Sequence, residues 1–306
     1  MSTVQIARRR LGSSPTWVRP IGLGAMPMSI QDRRSASESI RVILAALEAG
    51  IDFIDTADVY CLDDADIGHN ERLIAAALRE WKGHPVLVAT KGGFARPGGR
   101  WQHNGRPEHL RQACDNSLKA LGVERIALYQ LHTPDPAVPF GDSIGAIAEL
   151  QRVGKIQHIG LSNVSVRQIE AASAVVPIVS VQNRCNFHDH TAWRHGVIQH
   201  CEQHGIAFLP YSPVGGRGKH WIANDPCLKN VAERHQATAY EIALAWLLAC
   251  LPVMIPIPGA SRAESAISSA NATQIQLSAD DMRQLNATLP AFLRRIQRYL
   301  TSRFFN

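Results

Sequence analysis

Short apolar runs alternate with longer segments of helical periodicity from about residue 20 to residue 270. The apolar runs are bounded by Gly, Asn, Asp, His or Pro, which is typical of buried strands in a parallel sheet. The predicted strands cover residues 21–23, 53–55, 86–91, 126–132, 156–161, 179–182, 207–211 and 253–257.

The segments between these strands have the spacing of amphipathic helices. In residues 37–49, Ile40, Ile43, Leu44 and Leu47 share one face. Segment 240–249 is apolar on every side, so we expect it to be buried. The other predicted helices cover residues 107–121, 141–153, 166–174 and 192–204.

Eight strands, each followed by a helix, predict an α/β fold: a (β/α)8 TIM barrel forming one domain over residues 1–306, with a core at about 20–287. Residues 1–19 are expected to form a hairpin that caps the bottom of the barrel. Residues 278–306 are expected to form an extension that begins with a helix at Ser278 and ends in a basic, aromatic tail.

Composition narrows the ligand classes. Hydrophobic residues make up 45% of the chain and charged residues 19%, which permits a large core. The net charge of +6 and the pI near 9.2 suit an anionic ligand. The positive charge is scattered apart from clusters at 8–10 and 294–303, and no basic, aromatic stripe is present. A small ligand that carries phosphate is therefore favoured over nucleic acid.

The cysteines and the longest apolar stretch indicate the cellular compartment of the protein. The six cysteines are dispersed without a C-x-x-C pair, which predicts neither a metal site nor a disulfide framework and favours a cytoplasmic protein. No secretory segment follows Met1. The longest apolar stretch, 242–258, contains three prolines and is expected to form a buried helix and strand, so no membrane association is predicted.

Four polar residues fall at neighbouring strand ends, where (β/α)8 barrels carry their active sites. Asp55 ends the second predicted strand and Tyr60 follows in the loop; Lys91 and His132 end the third and fourth. Each alone has an ordinary structural explanation, such as a helix cap or a solvated side chain. Together they predict one site at the mouth of the barrel.

Several motifs in this order resemble those of the aldo-keto reductase family. The match runs from about residue 20 to residue 287. The segments that carry it are Ile-Asp-Phe-Ile-Asp-Thr-Ala-Asp-Val-Tyr at 51–60, His-Asn-Glu at 69–71, Thr-Lys at 90–91, Tyr-Gln-Leu-His at 129–132, Gly-Leu-Ser-Asn at 160–163, Gln-Asn at 182–183, Tyr-Ser-Pro at 211–213 and Ile-Pro-Gly at 257–259.

The resemblance implies that Asp55, Tyr60, Lys91 and His132 form a catalytic tetrad. Reduction of a carbonyl needs a hydride at carbon and a proton at oxygen, and Tyr60 would donate the proton. Because a free tyrosine has a pKa of about 10, we expect Lys91 to lower the pKa of Tyr60. Asp55 would hold Lys91 in place, and His132 would position and polarise the substrate oxygen.

The resemblance also implies NADPH/NADP+, preferred over NADH, bound across the barrel mouth without a Rossmann fold. The chain has no complete G-x-G-x-x-G, and residues 213–220 do not form a P-loop. Ser162, Asn163 and Gln182 would hold the carboxamide, and Tyr211 would stack on the nicotinamide. The remaining expected contacts are Gly24, Met26, Asp55, the pyrophosphate loop Ser212, Pro213, Val214, Gly215 and Gly216, and Gly259, Ser261 and Arg262, the last two gripping the 2′-phosphate.

The chain departs from the family pattern at Ser268-Ser269, where many relatives carry a Glu-Asn that contacts adenine. The loop 61–68 is also longer and more acidic than usual. Candidate walls of the substrate pocket are Met28, Phe94, Trp101, Phe140, Trp221, Phe304 and Phe305.

We therefore expect a monomer or weak homo-oligomer that acts on a small carbonyl substrate. Two alternatives remain open at this point. One is a Schiff-base aldolase that uses Lys91. The other is a cofactor-binding, redox-sensing subunit with little turnover.

Overall fold

The computed structural model describes residues 7–216 and 221–287. The strands are β1 (Arg9–Arg10), β2 (Trp17–Val18), β3 (Leu23–Gly24), β4 (Phe53–Asp55), β5 (Leu87–Gly92), β6 (Phe94–Ala95), β7 (Gln102–His103), β8 (Ile126–Leu131), β9 (Ile156–Ser162), β10 (Ile178–Gln182) and β11 (Ala207–Phe208).

The helices alternate with the barrel strands. The α-helices of the described residues are α1 (Ala36–Glu48), α2 (His69–Glu80), α3 (Pro107–Leu121), α4 (Phe140–Arg152), α5 (Val166–Ser173), α6 (Thr191–Arg194), α7 (Val197–Gln203), α8 (Trp221–Asn224), α9 (Pro226–His235), α10 (Ala239–Cys250), α11 (Ala263–Asn271) and α12 (Ala279–Ala287). Short 3₁₀ turns cover Met26–Met28, Asp64–Asp66, Pro97–Gly99 and Ala272–Gln274.

A curled parallel sheet forms the wall of the barrel. Its seven strands pair in the order β3-β4-β5-β8-β9-β10-β11. The predicted eighth strand, 253–257, lies in the described part of the chain but forms isolated parallel bridges, such as Phe208 with Met254. Pro256 and Pro258 have no N–H to give to a ladder, yet their carbonyls still accept hydrogen bonds from the first barrel strand. The (β/α)8 barrel is confirmed, with an irregular closing strand.

Most of the predicted helices are present within a residue or two of their expected ends. The prediction of one helix at 192–204 was wrong in one respect, because the chain forms two short helices, α6 and α7, separated at Gly196, whose φ is 75°. Helix α10 is buried as expected along nearly all of its length. Helices α2 and α9 were not predicted, although both are amphipathic and bury one apolar face, with Leu73 and Ile74 in α2 and Leu228 and Val231 in α9.

The predicted N-terminal hairpin is present as the antiparallel pair β1 and β2. Leu11, at its tip, packs with Phe53 and Val179 in the barrel interior. Gly12 has a φ of 59°, and a side chain there would collide with the carbonyl of Val179. Arg9 is anchored beneath the closing segment, where it donates to the carbonyl oxygens of Leu248, Leu251 and Met254.

The C-terminal extension begins as predicted. Ser278 accepts a hydrogen bond from the N–H of Asp281 and donates one to its carboxylate, which caps the start of α12. The expected basic tail, with Phe304 and Phe305, lies outside the described residues. In the described ranges, no helix has the length and apolar character needed to cross a bilayer.

A second hairpin, β6 paired with β7, follows β5 and was not predicted from the sequence. Its strands have two residues each, too short for a period of two to be recognised. The hairpin reaches over the mouth of the barrel and brings aromatic side chains to the site described below.

Candidate active site

The side chains that enter the barrel form stacked layers, because alternate residues of each strand point inward. Phe53, Ala89 and Leu128 belong to one apolar layer. Two residues further along the same strands come Asp55, Lys91 and Gln130, all buried. The carboxyl ends of β4, β5 and β8 therefore place a polar layer directly above the apolar layer.

Lys91 is the centre of this polar layer, and its side chain has no exposed surface. Its Nζ donates to Asp55 Oδ1 at 2.6 Å, to the carbonyl oxygen of Thr56 at 2.7 Å and to the hydroxyl of Tyr60 at 3.0 Å. These three acceptors match the three donors of an ammonium group. Burial alone would lower the pKa of Lys91, but Asp55 and Tyr60 raise it above its ordinary value. The amine is accordingly protonated at neutral pH.

Asp55 is fixed by two amides as well as by Lys91. Its Oδ2 accepts hydrogen bonds from Gln182 Nε2 at 2.7 Å and from Gln130 Nε2 at 3.1 Å. Gln182 was predicted to hold a nicotinamide carboxamide, whereas its Nε2 here points to Asp55. Gln130 had no predicted role, although its place two residues before His132 puts it on the same inward face of the chain.

The phenol of Tyr60 is buried, and this decides the direction of its pKa shift. Burial raises the pKa of Tyr60, and the opposing effect of Lys91 is smaller, so the net shift is upward. Lys91 acts on the pKa of Tyr60 in the expected direction, but the sequence did not indicate the larger, opposite effect of burial. The cause is desolvation, which disfavours a phenolate in this layer.

His132 lies edge-on to Tyr60, with the ring centroids 5.7 Å apart. Burial, and secondly the charge of Lys91, hold the pKa of His132 well below its ordinary value, so the imidazole is neutral. Its Nδ1 is buried and has no hydrogen-bond partner among the residues that the structure describes. Asn163 Nδ2 donates to the backbone carbonyl of His132 at 3.0 Å and holds this strand end. The structure thus brings the four predicted tetrad residues together.

An open cleft of about 380 Å³ begins at Asp55 and runs across the barrel mouth to α11. Its lining includes ten of the predicted cofactor contacts: Gly24, Met26, Asp55, Ser212, Pro213, Val214, Gly216, Gly259, Ser261 and Arg262.

The other predicted cofactor contacts lie beside the tetrad or in the same loop. The hydroxyl of Tyr211 donates to Asn163 Oδ1 at 3.0 Å, and Asn163 Nδ2 also donates to Ser162 Oγ at 3.1 Å. Gln182 contacts Asp55, as described above. Gly215 belongs to the loop that borders the cleft but does not line it.

The backbone of the cleft suits a ligand that carries phosphate. Ser212, Gly215 and Gly216 have φ values of 49°, 94° and 78°, and the N–H of Gly215 closes the turn by donating to the carbonyl of Ser212 at 3.0 Å. The absence of a side chain at the two glycines lets a phosphate approach this backbone closely. At the opposite end, Arg262 precedes the first residue of α11, and its own side chain makes no capping hydrogen bond there. The first N–H groups of a helix favour an anion. The residues present therefore fit a dinucleotide phosphate.

The departure at Ser268-Ser269 has a structural counterpart. Both residues line the cleft together with Tyr240. Ser268 Oγ donates to Glu241 Oε1 at 2.8 Å, and Ser269 Oγ donates to the carbonyl of Ser265 at 2.9 Å. Both hydroxyls are thus bonded within the protein, and the side chain of Tyr240 supplies an aromatic surface at this end of the cleft.

Two of the seven candidate pocket walls lie over the tetrad. Phe94 and Trp101, both in or beside the β6–β7 hairpin, have ring centroids 4.8 Å and 6.2 Å from that of His132. The expectation for Met28 is wrong, because it is buried in the main hydrophobic core. Phe140 lines a separate hollow near the start of α4.

The loop after Tyr60 is held by internal contacts. Asp63 caps the following 3₁₀ turn, and Asp66 pairs with Arg33. Cys61 is buried, its thiol donates to the carbonyl of Val59, and burial raises its pKa to about 12. A thiol in that state is a poor nucleophile. Among the described residues, no cluster of His, Cys, Asp or Glu could hold a metal ion.

Comparison with known proteins identifies the class. The Aldo/keto reductase family matches residues 20–290. An uncharacterized oxidoreductase of Schizosaccharomyces pombe is 38% identical over 276 residues, which is 88% of this chain and 86% of that protein. A probable aldo-keto reductase of Glycine max is 31% identical over 320 residues, 95% of this chain and 91% of that protein.

A solved structure supports the same family assignment. A thermostable aldo-keto reductase in complex with the inhibitor epalrestat superposes with a TM-score of 0.80 at 30% identity, covering 92% of this chain and 99% of that one. The chain therefore belongs to the aldo-keto reductase family and is an oxidoreductase with the (β/α)8 fold of that family.

The buried Asp55–Lys91 pair leads to a prediction about stability. Lys91→Met leaves the Asp55 carboxylate without a counter-ion and should lower the free energy of unfolding by about 3–5 kcal/mol. The double variant Asp55→Asn with Lys91→Met removes both charges and should recover part of that loss. Urea denaturation followed by circular dichroism measures both. A double variant less stable than Lys91→Met would contradict the pairing.

Proposed function

We propose that this protein reduces an aldehyde or ketone to an alcohol with NADPH, and that Tyr60 gives the proton to the carbonyl oxygen. The observation that carries the proposal is the contact of 3.0 Å between Lys91 Nζ and the Tyr60 hydroxyl. It places a protonated amine where it stabilises the phenolate that proton donation leaves behind. Bound NADPH would supply the hydride.

The tetrad side chains have distinct roles in this proposal. Asp55 keeps Lys91 charged and in place through its contact of 2.6 Å. The neutral imidazole of His132, edge-on to Tyr60, donates a hydrogen bond to the substrate oxygen and sets its position. Tyr60 remains protonated over the neutral range, since burial raises its pKa, so the acid form is the resting form.

The cofactor residues follow the cleft. The loop 212–216 would pass over the pyrophosphate, and Tyr211 would stack on the nicotinamide, with Ser162 and Asn163 at its carboxamide. Ser261 and Arg262 line the other end, where a guanidinium beside a helix start suits the 2′-phosphate that distinguishes NADPH from NADH. Aldo-keto reductases as a family use nicotinamide cofactors, which supports this assignment.

The geometry disfavours a Schiff-base aldolase. A nucleophilic lysine must lose its proton and reach the substrate. Lys91 is fully buried, donates to three acceptors and has a raised pKa. No observation favours the redox-sensing subunit over an enzyme, because the tetrad is complete.

We further propose that the substrate is a small carbonyl compound, that the protein is cytoplasmic, and that it is a monomer or associates weakly.

Tyr60→Phe should abolish carbonyl reduction, because it removes the only proton of the donor, yet leave NADPH binding within about twofold. Turnover is followed at the NADPH absorbance and binding by fluorescence titration. Tyr129→Phe is a matched control, since Tyr129 is a buried tyrosine whose hydroxyl contacts the carbonyl of Leu110. Full turnover by Tyr60→Phe would remove Tyr60 from the chemistry.

The pH profile should reflect the two shifted groups. A proton donor whose pKa is raised stays protonated, so kcat for reduction should be level from about pH 6 to 8 and fall only above the ordinary tyrosine range near 10. The depressed pKa of His132 predicts no inflection near about 6.5. Steady-state kinetics across this range test both, and a clear inflection near neutrality would argue against them.

Arg262→Ala should weaken NADPH binding about tenfold or more and change NADH binding little, because only NADPH carries the 2′-phosphate. Fluorescence titration with each cofactor measures the two dissociation constants. Arg152→Ala serves as the control, since Arg152 is exposed on α4 and pairs with Glu149. Equal losses for the two cofactors would place the 2′-phosphate elsewhere.

A further inference from the structure

Arg96 is a buried guanidinium beside the active site, and nothing in the proposed chemistry uses it. The residue is 1% exposed. Its Nη2 donates to the backbone carbonyls of Cys61 and Leu62 at 3.0 Å and 2.9 Å. Its Nε and Nη1 are buried without a hydrogen-bond partner among the described residues. Burying a charge in this way is unfavourable unless another contact compensates.

The compensating contact is Trp101. The central carbon of the Arg96 guanidinium lies 4.2 Å from the centre of the indole ring, within the range of a cation–π interaction. Because the guanidinium is desolvated, this attraction is stronger than it would be at an exposed site. Arg96 thus packs against one face of the indole of Trp101, a side chain that is otherwise 46% exposed.

Trp101 in turn faces the tetrad. Its ring centroid lies 6.4 Å from that of Tyr60 and 6.2 Å from that of His132, in edge-on arrangements. Phe94 packs against Trp101 at 5.5 Å and against His132 at 4.8 Å. Phe94, Trp101, Tyr60 and His132 form what we call the aromatic wall.

Arg96 also joins two segments that the sequence keeps apart. The carbonyls that it binds belong to the loop directly after Tyr60, whereas Arg96 and Trp101 lie in the segment between β6 and β7. A second contact, from Gly98 N to Asp64 Oδ1 at 3.3 Å, ties the same two segments. Arg96 and this second contact therefore hold the loop after Tyr60 against the segment that carries Trp101.

We propose that Arg96 is a positioning residue that fixes Trp101 over Tyr60 and His132, and that the resulting wall makes aromatic aldehydes and ketones the preferred substrate class. The inference rests on the proposed function. A planar aromatic substituent would stack within the aromatic wall while its carbonyl oxygen faces Tyr60 and His132. A small aliphatic carbonyl compound lacks the surface to use the wall.

The test compares kcat/KM for benzaldehyde with kcat/KM for propanal, both with NADPH. The proteins compared are the wild type, Arg96→Met, Arg96→Lys, Trp101→Ala and the double variant Arg96→Met with Trp101→Ala. Arg100→Met is the matched control, because Arg100 is an exposed arginine in the same hairpin segment. The wild type should favour benzaldehyde. Arg96→Met and Trp101→Ala should each lower the ratio of kcat/KM for benzaldehyde to that for propanal about tenfold, mainly through the KM for benzaldehyde, whereas Arg100→Met should leave the ratio unchanged.

The double variant separates a positioning role from an independent one. If Arg96 acts through Trp101, the double variant should be no worse than Trp101→Ala alone. Arg96→Lys should fall between wild type and Arg96→Met, since an ammonium keeps the charge but lacks the planar fork. Additive losses, or an unchanged preference in Arg96→Met, would overturn the proposal.

A readout without substrate keeps this inference distinct from the proposed function. Acrylamide should quench tryptophan fluorescence more strongly in Arg96→Met than in the wild type, and the difference should vanish in a Trp101→Phe background. Absence of that difference overturns the positioning role. If the wild type reduced no carbonyl compound while the quenching difference was present, the proposed function would fail and the contact between Arg96 and Trp101 would stand.

Discussion

The structure of the active site depends on the burial of one ammonium group. Removing Lys91 from water is costly, and the cost is offset only because three acceptors meet it at hydrogen-bond distance. Those acceptors come from β4 and the loop that follows it, while Lys91 comes from β5, so the parallel register of the two strands brings the charge and its partners together. The apolar layer beneath excludes water from below and keeps the arrangement rigid.

In the polar layer, desolvation affects the pKa values of Tyr60 and His132 more than any single charged neighbour does. Burial raises the pKa of Tyr60 and lowers that of His132, so both groups are neutral where a carbonyl would meet them. A neutral phenol can give a proton, and a neutral imidazole can donate a hydrogen bond without competing for that proton. In the proposed reaction the ammonium of Lys91 would act as negative charge develops on Tyr60, which is the condition for selective stabilisation of a transition state.

Much of the fold could be predicted, because the strand and helix periods are strong in this chain and the polar strand ends fall in order. The irregular closing strand could not, since an apolar run containing Pro256 and Pro258 resembles a strand in composition while lacking the donors of one. The separation of α6 from α7 depends on the backbone at Gly196. The motifs located the four residues Asp55, Tyr60, Lys91 and His132, whereas the contacts of Gln130 and Arg96 join segments distant in sequence. The net upward shift of the pKa of Tyr60 depends on burial of the phenol, which cannot be read from a sequence motif.

The hairpin at the start of the chain has a consequence for how the barrel is completed. Arg9 is bonded to carbonyls at the end of α10 and in the closing segment, and Leu11 fills the base of the cylinder. Arg9 therefore meets these three carbonyls only after the segment that closes the barrel has been synthesised. During translation the side chain of Arg9 must remain without these partners until then. Removing the hairpin would leave these three carbonyls without their donor and would uncover the base of the barrel.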